Sequence, residues 1–181
     1  MRKKSLYLYF LLCIASCGIN PANTDTTDVD NKQNDPFTAS FHKWQEAKKA
    51  HNNSYEYTTT FRSYVGFGHT TIIEVQNGVV VKRTYYEFNR NYDHPTAIET
   101  ILKYTEEKEA LNTHQEGSPA ITLDELYDNC AAVYLKADTT KNRITFRVDE
   151  AGIVSSCGYT PKNCADDCFK GIHITKIKWL D

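Results

Sequence analysis

The chain has 181 residues, 40% of them hydrophobic and 24% charged, with a net charge of −2 and six cysteines. A slightly acidic balance without a concentrated basic patch speaks against nucleic acid as a partner, because that affinity rests on cations gathered against phosphates. The length supports one domain with a real core and is too short for two ordinary ones.

Arg2, Lys3 and Lys4 form a basic start, and Leu6 to Ala15 form an apolar run of about ten residues, half of the roughly 20 that a membrane-spanning helix needs. The pattern is that of a secretory signal rather than a transmembrane anchor. The run closes on Ile14-Ala15-Ser16-Cys17, an apolar residue and two small ones before a cysteine, and there it resembles the lipobox of bacterial lipoproteins. That resemblance implies cleavage before Cys17, a diacylglycerol thioether on its sulfur and an acyl chain such as palmitate on the new amino terminus. The alternative is an ordinary signal peptide cut elsewhere, with Cys17 a plain thiol. Residues 1–16 thus read as a lipoprotein signal peptide, whose removal leaves 165 residues and a net charge of −5. Two or three acyl chains hold a domain far better than one. The expected location is the bacterial cell envelope, lipid-anchored and facing an oxidising compartment, either periplasm or cell surface.

Residues 17–35 hold the lipidated cysteine and a segment rich in Asn, Thr and Asp, too poor in apolar side chains to offset its ordering entropy. This is a tether, or in a sharper form a sorting signal carried by its acidic residues. Residues 36–181 form the single domain. Asp35 as N-cap and Pro36 at the first helical position, followed by Phe37, Phe41, Trp44 and Ala47, predict a helix to about His51. Tyr55, Tyr57, Thr59 and Phe61 alternate with polar residues as a half-buried strand. Gly66 to Gly68 turn the chain, Thr70 to Gln76 return it, and Asn77-Gly78 followed by Val79-Val80-Val81 is the sequence of a type I′ hairpin with a third strand to about Phe88. Between Asn89 and Pro119, Ala97 to Leu111 fits a helix through Ile98, Ile101 and Leu102 and a strand through Thr100, Tyr104 and Thr105, while His114 to Gly117 is loop.

Thr122-Leu123-Asp124-Glu125 is a capping box, and the helix after it carries Leu126, Tyr127, Cys130, Val133 and Tyr134 on one face, ending near Ala137. Ile144, Phe146 and Val148 alternate inward along Arg143 to Asp149. Glu150 to Gly152 turn into a strand over Ile153 to Tyr159, and a last strand spans Gly171 to Trp179. Its apolar phase changes from Ile172 and Ile174 to Ile177 and Trp179, which predicts a bulge at Thr175-Lys176. The expected fold class is α+β, a twisted antiparallel β-sheet with two helices packed on one face, arranged as two helix-then-three-strand halves.

Cys13 leaves with the signal and Cys17 is lipidated, so Cys130, Cys157, Cys164 and Cys168 remain for two disulfides. Three pairings are open, and each ties Cys130 to one of the last three cysteines. The competing reading is a zinc site of four thiolates. Its spacing, Cys-x6-Cys-x3-Cys with a distant fourth, is not the paired Cys-x2-Cys of structural zinc modules.

Lys43-Trp44 before Tyr55-Glu56-Tyr57, Val75 to Val80, Leu123 to Tyr127, and Phe146 to Ile153 followed by Ala165-Asp166-Asp167 together resemble an uncharacterised family of small secreted and lipoprotein domains of bacteria. The resemblance spans most of the mature domain and implies no activity. The four late cysteines stand outside its pattern. The layout also resembles tandem helix-plus-sheet envelope modules that bind or inhibit other proteins, an analogy of fold alone.

No Gly-x-Ser-x-Gly elbow, His-Glu-x-x-His helix or glycine-rich phosphate loop occurs in the chain, and no cofactor is implied. His69 and His173 are candidates to meet in space, against the plainer reading of solvated imidazoles. Asp166-Asp167, with Asp149 and Glu150 folded toward them, is the best acidic constellation and a weak calcium candidate; solvated turns are the plainer reading. Tyrosines such as Tyr55, Tyr57, Tyr64, Tyr85, Tyr104, Tyr127 and Tyr159 fit either a cover for a one-sided sheet or a binding face. The expected function is a membrane-anchored, non-enzymatic module whose sheet face or edge binds an envelope protein partner or another envelope ligand. The alternative is a calcium- or zinc-binding module, or an enzyme, using the C-terminal acidic and cysteine-bearing loop.

Overall fold

The computed structural model describes residues 35–90 and 98–180. Residues 1–34, on which the expected signal peptide, Cys17 and most of the expected tether fall, and residues 91–97 including Tyr92 lie outside the described residues. Helix α1 (Pro36–Ala50) starts as the sequence predicts, with the Asp35 carboxylate accepting from Thr38 N at 3.1 Å. Strands β1 (Tyr55–Arg62), β2 (Gly68–Gln76), β3 (Val79–Arg90) and β4 (Ile98–Glu107) follow as an antiparallel meander. Asn77 and Gly78 turn β2 into β3 with φ of +50° and +78°, the two positive values a type I′ turn requires. Helix α2 (Leu123–Asn129) opens on the capping box, both of its reciprocal bonds being present. A second meander of β5 (Asn142–Val148), β6 (Val154–Pro161) and β7 (Lys170–Trp179) completes the chain.

The seven strands form one sheet in the order β4-β3-β2-β1-β7-β6-β5. The two meanders join where β1 pairs with β7. Both helices lie on the face that carries Tyr55, Tyr57, Ile73 and Val75: Trp44 of α1 meets Tyr55 edge-on at 4.9 Å, and Leu123 N of α2 donates to Tyr55 Oη at 2.9 Å. The α+β layering is as expected from the sequence. The symmetric halves are not, since the first half has four strands. Ala97 to Leu111 resolves its ambiguity as β4 and a short 3-10 turn over Lys108–Ala110. Pairing with β3 sets Thr100 and Leu102 opposite Phe88 and Tyr86 and, past a register shift at Lys103, Tyr104 and Glu106 opposite Tyr85 and Arg83, and the helical triplet loses its purpose: Ile101 and Leu102 are exposed on an edge strand.

Two further departures have local causes. After Asn129 the second helix passes into one π-type turn, Cys130–Tyr134, closed by Leu135 N donating to Cys130 O. Leu126, Tyr127 and Cys130 are buried as the helical spacing predicts, and the extra residue in the ring rotates the side chains that follow, which leaves Val133 exposed. Along β5, register shifts between Arg147 and Val148 and leaves Val148 exposed instead of inward.

The core joins the layers through tyrosine hydroxyls as well as apolar contact. Tyr127 Oη lies 2.7 Å from Ser40 Oγ on α1 and accepts from Val154 N on β6 at 2.9 Å. Tyr57 Oη donates to Ile121 O at 2.7 Å. Burial pushes the phenols of Tyr55, Tyr57 and Tyr127 up from their ordinary value, and they stay neutral donors and acceptors. Tyr127→Phe removes the acceptor of a buried N–H, and about 1–3 kcal/mol of stability is lost with it. Urea unfolding reads this as a lower midpoint at unchanged slope.

Candidate functional site

The predicted bulge at Thr175 is where the site begins. Strands β1 and β7 pair from Tyr55 opposite Trp179 down to Thr58 opposite Lys176, then skip Thr175 and make one last pair, Thr59 opposite Ile174. Below that point the strands part. Thr60, Phe61 and Arg62 continue in register with Thr70, His69 and Gly68 of β2, whereas His173, Ile172, Gly171 and Lys170 pair with Ser156 to Tyr159 of β6.

Residues on β7 and β6 explain the departure. Gly171 sits opposite Gly158 at φ +153°, and a Cβ on Gly171 would stand 2.2 Å from Cys157 O. Only glycine lets β7 draw this close to β6. Thr175, the extra residue, spans the junction: its hydroxyl donates to Thr58 O at 3.3 Å and lies 3.2 Å from Thr60 Oγ1. The result is a fork in the sheet whose two walls are strand edges without a partner strand on the inner side among the described residues. In an antiparallel strand alternate residues present both backbone polar groups to one neighbour, so alternate N–H and C=O groups along each wall point into the fork.

The fork is a cleft of about 720 Å³. Its floor is Thr59, whose hydroxyl lies 2.7 Å from Ser118 Oγ in the loop that crosses the sheet. Phe61 and Phe169 line opposite walls and are 37% and 39% exposed. The structure also brings His69 and His173 to this cleft. His69 stands between Phe61 at 5.3 Å and Tyr85 at 5.5 Å, and its buried Nδ1 has no hydrogen-bond partner among the described residues. Burial holds the ring below its ordinary value of 6.5 against the opposing pull of the Glu87 carboxylate. A neutral imidazole packed between rings lines the wall as an aromatic group rather than as a charge.

One more polar centre supports the site from behind. Arg83 of β3 and Glu106 of β4 are each 1% exposed and form an ion pair at 3.0 Å. Glu106 also accepts from the backbone N–H groups of Asn112 and His114 and from the Thr113 hydroxyl. Arg83 donates to the carbonyls of His114 and Glu116. Between them they fix the loop that carries Ser118 to the fork. The burial of Glu106 acts to raise its pKa, and the bonds from His114, Asn112 and Arg83 outweigh it and hold the carboxyl at about 2.

The cysteine candidates pair as Cys130–Cys157, tying the π-turn to β6, and Cys164–Cys168, closing the β6–β7 loop beside the fork. Asp149 is a turn residue that accepts from Ile153 N at 2.9 Å. Asp166 and Asp167 belong to the loop between β6 and β7, and Asp167 lines the fork. No group of three or more His, Cys, Asp or Glu, these acids included, stands in metal-holding geometry among the described residues. No helix among the described residues is long and apolar enough to cross a membrane. No protein-family model, curated protein or solved structure matches this chain.

Proposed function

We propose that this chain is a lipid-anchored protein of the bacterial envelope, akin to the small lipoprotein domains it resembles, that captures an extended segment of a partner protein in the fork between β1 and β7. The fork carries the reading. Two inner strand edges with no partner strand among the described residues form a template for an added strand, and β-addition draws its affinity from main-chain hydrogen bonds and its selectivity from pockets under alternate side chains. Phe61 and Phe169 supply such apolar ground on either wall. The disulfide pairs fit an oxidising compartment, which agrees with Cys17 as the lipidated first residue of the mature chain and with the tether after it. No step of this function needs a catalytic group or a cofactor.

A phage-displayed random peptide library panned on the full chain tests it. Enriched peptides share alternating apolar positions, and proline at every second residue abolishes binding, since proline has no N–H to give a strand edge. Phe169→Ser weakens the selected peptides about tenfold, corresponding to roughly 1.4 kcal/mol of lost burial, while Ile101→Ser on the outer edge leaves them unchanged. Peptides that tolerate proline throughout, or that bind Phe169→Ser as well as the parent protein, overturn the assignment.

A further inference from the structure

The β1–β2 connection ends in an apolar tip. Tyr64, Val65 and Phe67 are 92%, 57% and 51% exposed, although Ser63 just before them is buried. The tip is a formed turn: Ser63 N donates to Phe67 O at 2.9 Å and Gly66 N to Ser63 O at 3.2 Å. Phe67 leans on Phe61 with ring centroids 6.4 Å apart, and Tyr64 is almost uncovered among the described residues. Apolar groups gathered on exposed surface mark an interaction site, and the mixed apolar and polar character of tyrosine suits a membrane interface.

The place of the tip in the fold says which surface it meets. Phe37, in the first turn of α1, packs edge-on against Phe146 at 5.6 Å. Phe146 stands opposite Cys157, and Cys157 opposite Ile172, which lines the fork. The other wall of the fork is Phe61, and two residues later β1 runs into the tip. The chain thus enters the domain at Asp35 about level with the fork, toward the end of the sheet that carries the tip. An anchor at Cys17 reaches that end through 18 residues, a span of at most about 60 Å and usually much less.

We propose that Tyr64-Val65-Gly66-Phe67 inserts into the interfacial layer of the bilayer that holds Cys17, laying the domain against the lipid with its fork at the membrane-proximal end. The inference rests on the lipid-anchor reading. Tether and tip give two points of attachment, and together they fix an orientation that a tether alone leaves free. The partner strand is then one that lies close to the membrane surface.

The test uses the full-length protein recovered from membranes and reconstituted into phosphatidylcholine–phosphatidylglycerol vesicles, with Tyr64→Trp as reporter above the emission of Trp44 and Trp179 in the parent protein. The reporter shifts to the blue and loses about half its emission to lipids brominated near the glycerol end, because an interfacial side chain sits roughly 5–10 Å into the headgroup and acyl boundary. A reporter left unshifted and unquenched overturns the proposal. So does one shielded from aqueous iodide yet untouched by brominated lipid, which assigns the tip to a protein partner or a second copy. Radiolabelled palmitate, scored on the same preparations and on Cys17→Ala, tests the anchor separately. If no label enters, the anchor reading fails, and the unlipidated chain added to the same vesicles decides the tip alone, blue shift and quenching supporting it and their absence overturning it.

Discussion

Glu106→Gln lowers the stability of the domain by roughly 3–5 kcal/mol, the cost of breaking a buried ion pair by removing one partner. The substitution keeps the shape of the side chain and leaves the Arg83 guanidinium charged and 1% exposed without its carboxylate counter-charge, held only by the His114 and Glu116 carbonyls. It also weakens the bonds from Asn112 N and His114 N, which hold the loop leading to Ser118. Chemical unfolding of the variant and the parent protein measures the difference. The same residue sets an acid limit. Its folded pKa of about 2 lies below the ordinary 4.5, so its contribution is fully present above about pH 4.5 and is lost as the pH falls toward 2. At 1.36 kcal/mol per unit that contribution is on the order of 3 kcal/mol, in line with the substitution. Acid titration of the parent protein should show this loss, and titration of Glu106→Gln should lack it.

The second large effect concerns the disulfides, which differ in what they hold. Cys130–Cys157 closes a separation of 27 residues between two fully buried positions. Chain entropy gives it roughly 3–4 kcal/mol. Cys164–Cys168 spans only four residues on the surface beside the fork, for which the same relation gives about 2 kcal/mol. The double variant Cys130→Ala/Cys157→Ala therefore loses nearly twice the stability of Cys164→Ser/Cys168→Ser in urea unfolding. Peptide mapping without reduction should find these two linkages and no free thiol among the four.

Much of this fold was legible because local chemistry and tertiary placement agree. Asp35-Pro36, the Thr122 capping box, Asn77-Gly78 and the period of two along β1 each specify a conformation within a few residues, and each stands in the structure as read. The bulge at Thr175 was visible as a change of apolar phase. Its consequence, the fork, was not, because the parting of β1 from β7 depends on which strand β7 prefers below the bulge, and the closeness of Gly171 to Gly158 decides that across the sheet. Residues 98–107 escaped for a related reason: Ile98, Ile101 and Leu102 make a helical pattern that only pairing with β3 overrides.

The supporting site was partly signalled and partly hidden. Arg83 and Glu106 fall on the inward phase of their strands, next to Tyr85 and Tyr104, and a charge in that phase asks for a buried partner. Without β4 as a strand there was no partner to name. The apolar tip was present in the sequence as Tyr64-Val65-Gly66-Phe67, an unusually hydrophobic turn whose exposure is clear only once Ser63 and Phe67 close it. The tyrosines divide between the two readings they allowed. Tyr55, Tyr57, Tyr85 and Tyr127 are core, while Tyr64 is surface.

Residue-resolved hydrogen exchange along β1 and β7 of the free protein tests the fork most directly. Alternate amides of Thr60 to Arg62 and of Gly171 to His173 should exchange at the rates of an open sheet edge, far faster than those of Tyr57 and Ile177 in the paired zone above the bulge, and should become protected when a selected peptide is added. Equal protection along the whole length of both strands in the free protein would mean that β1 and β7 zip together in solution, and the binding site described for this domain would not exist.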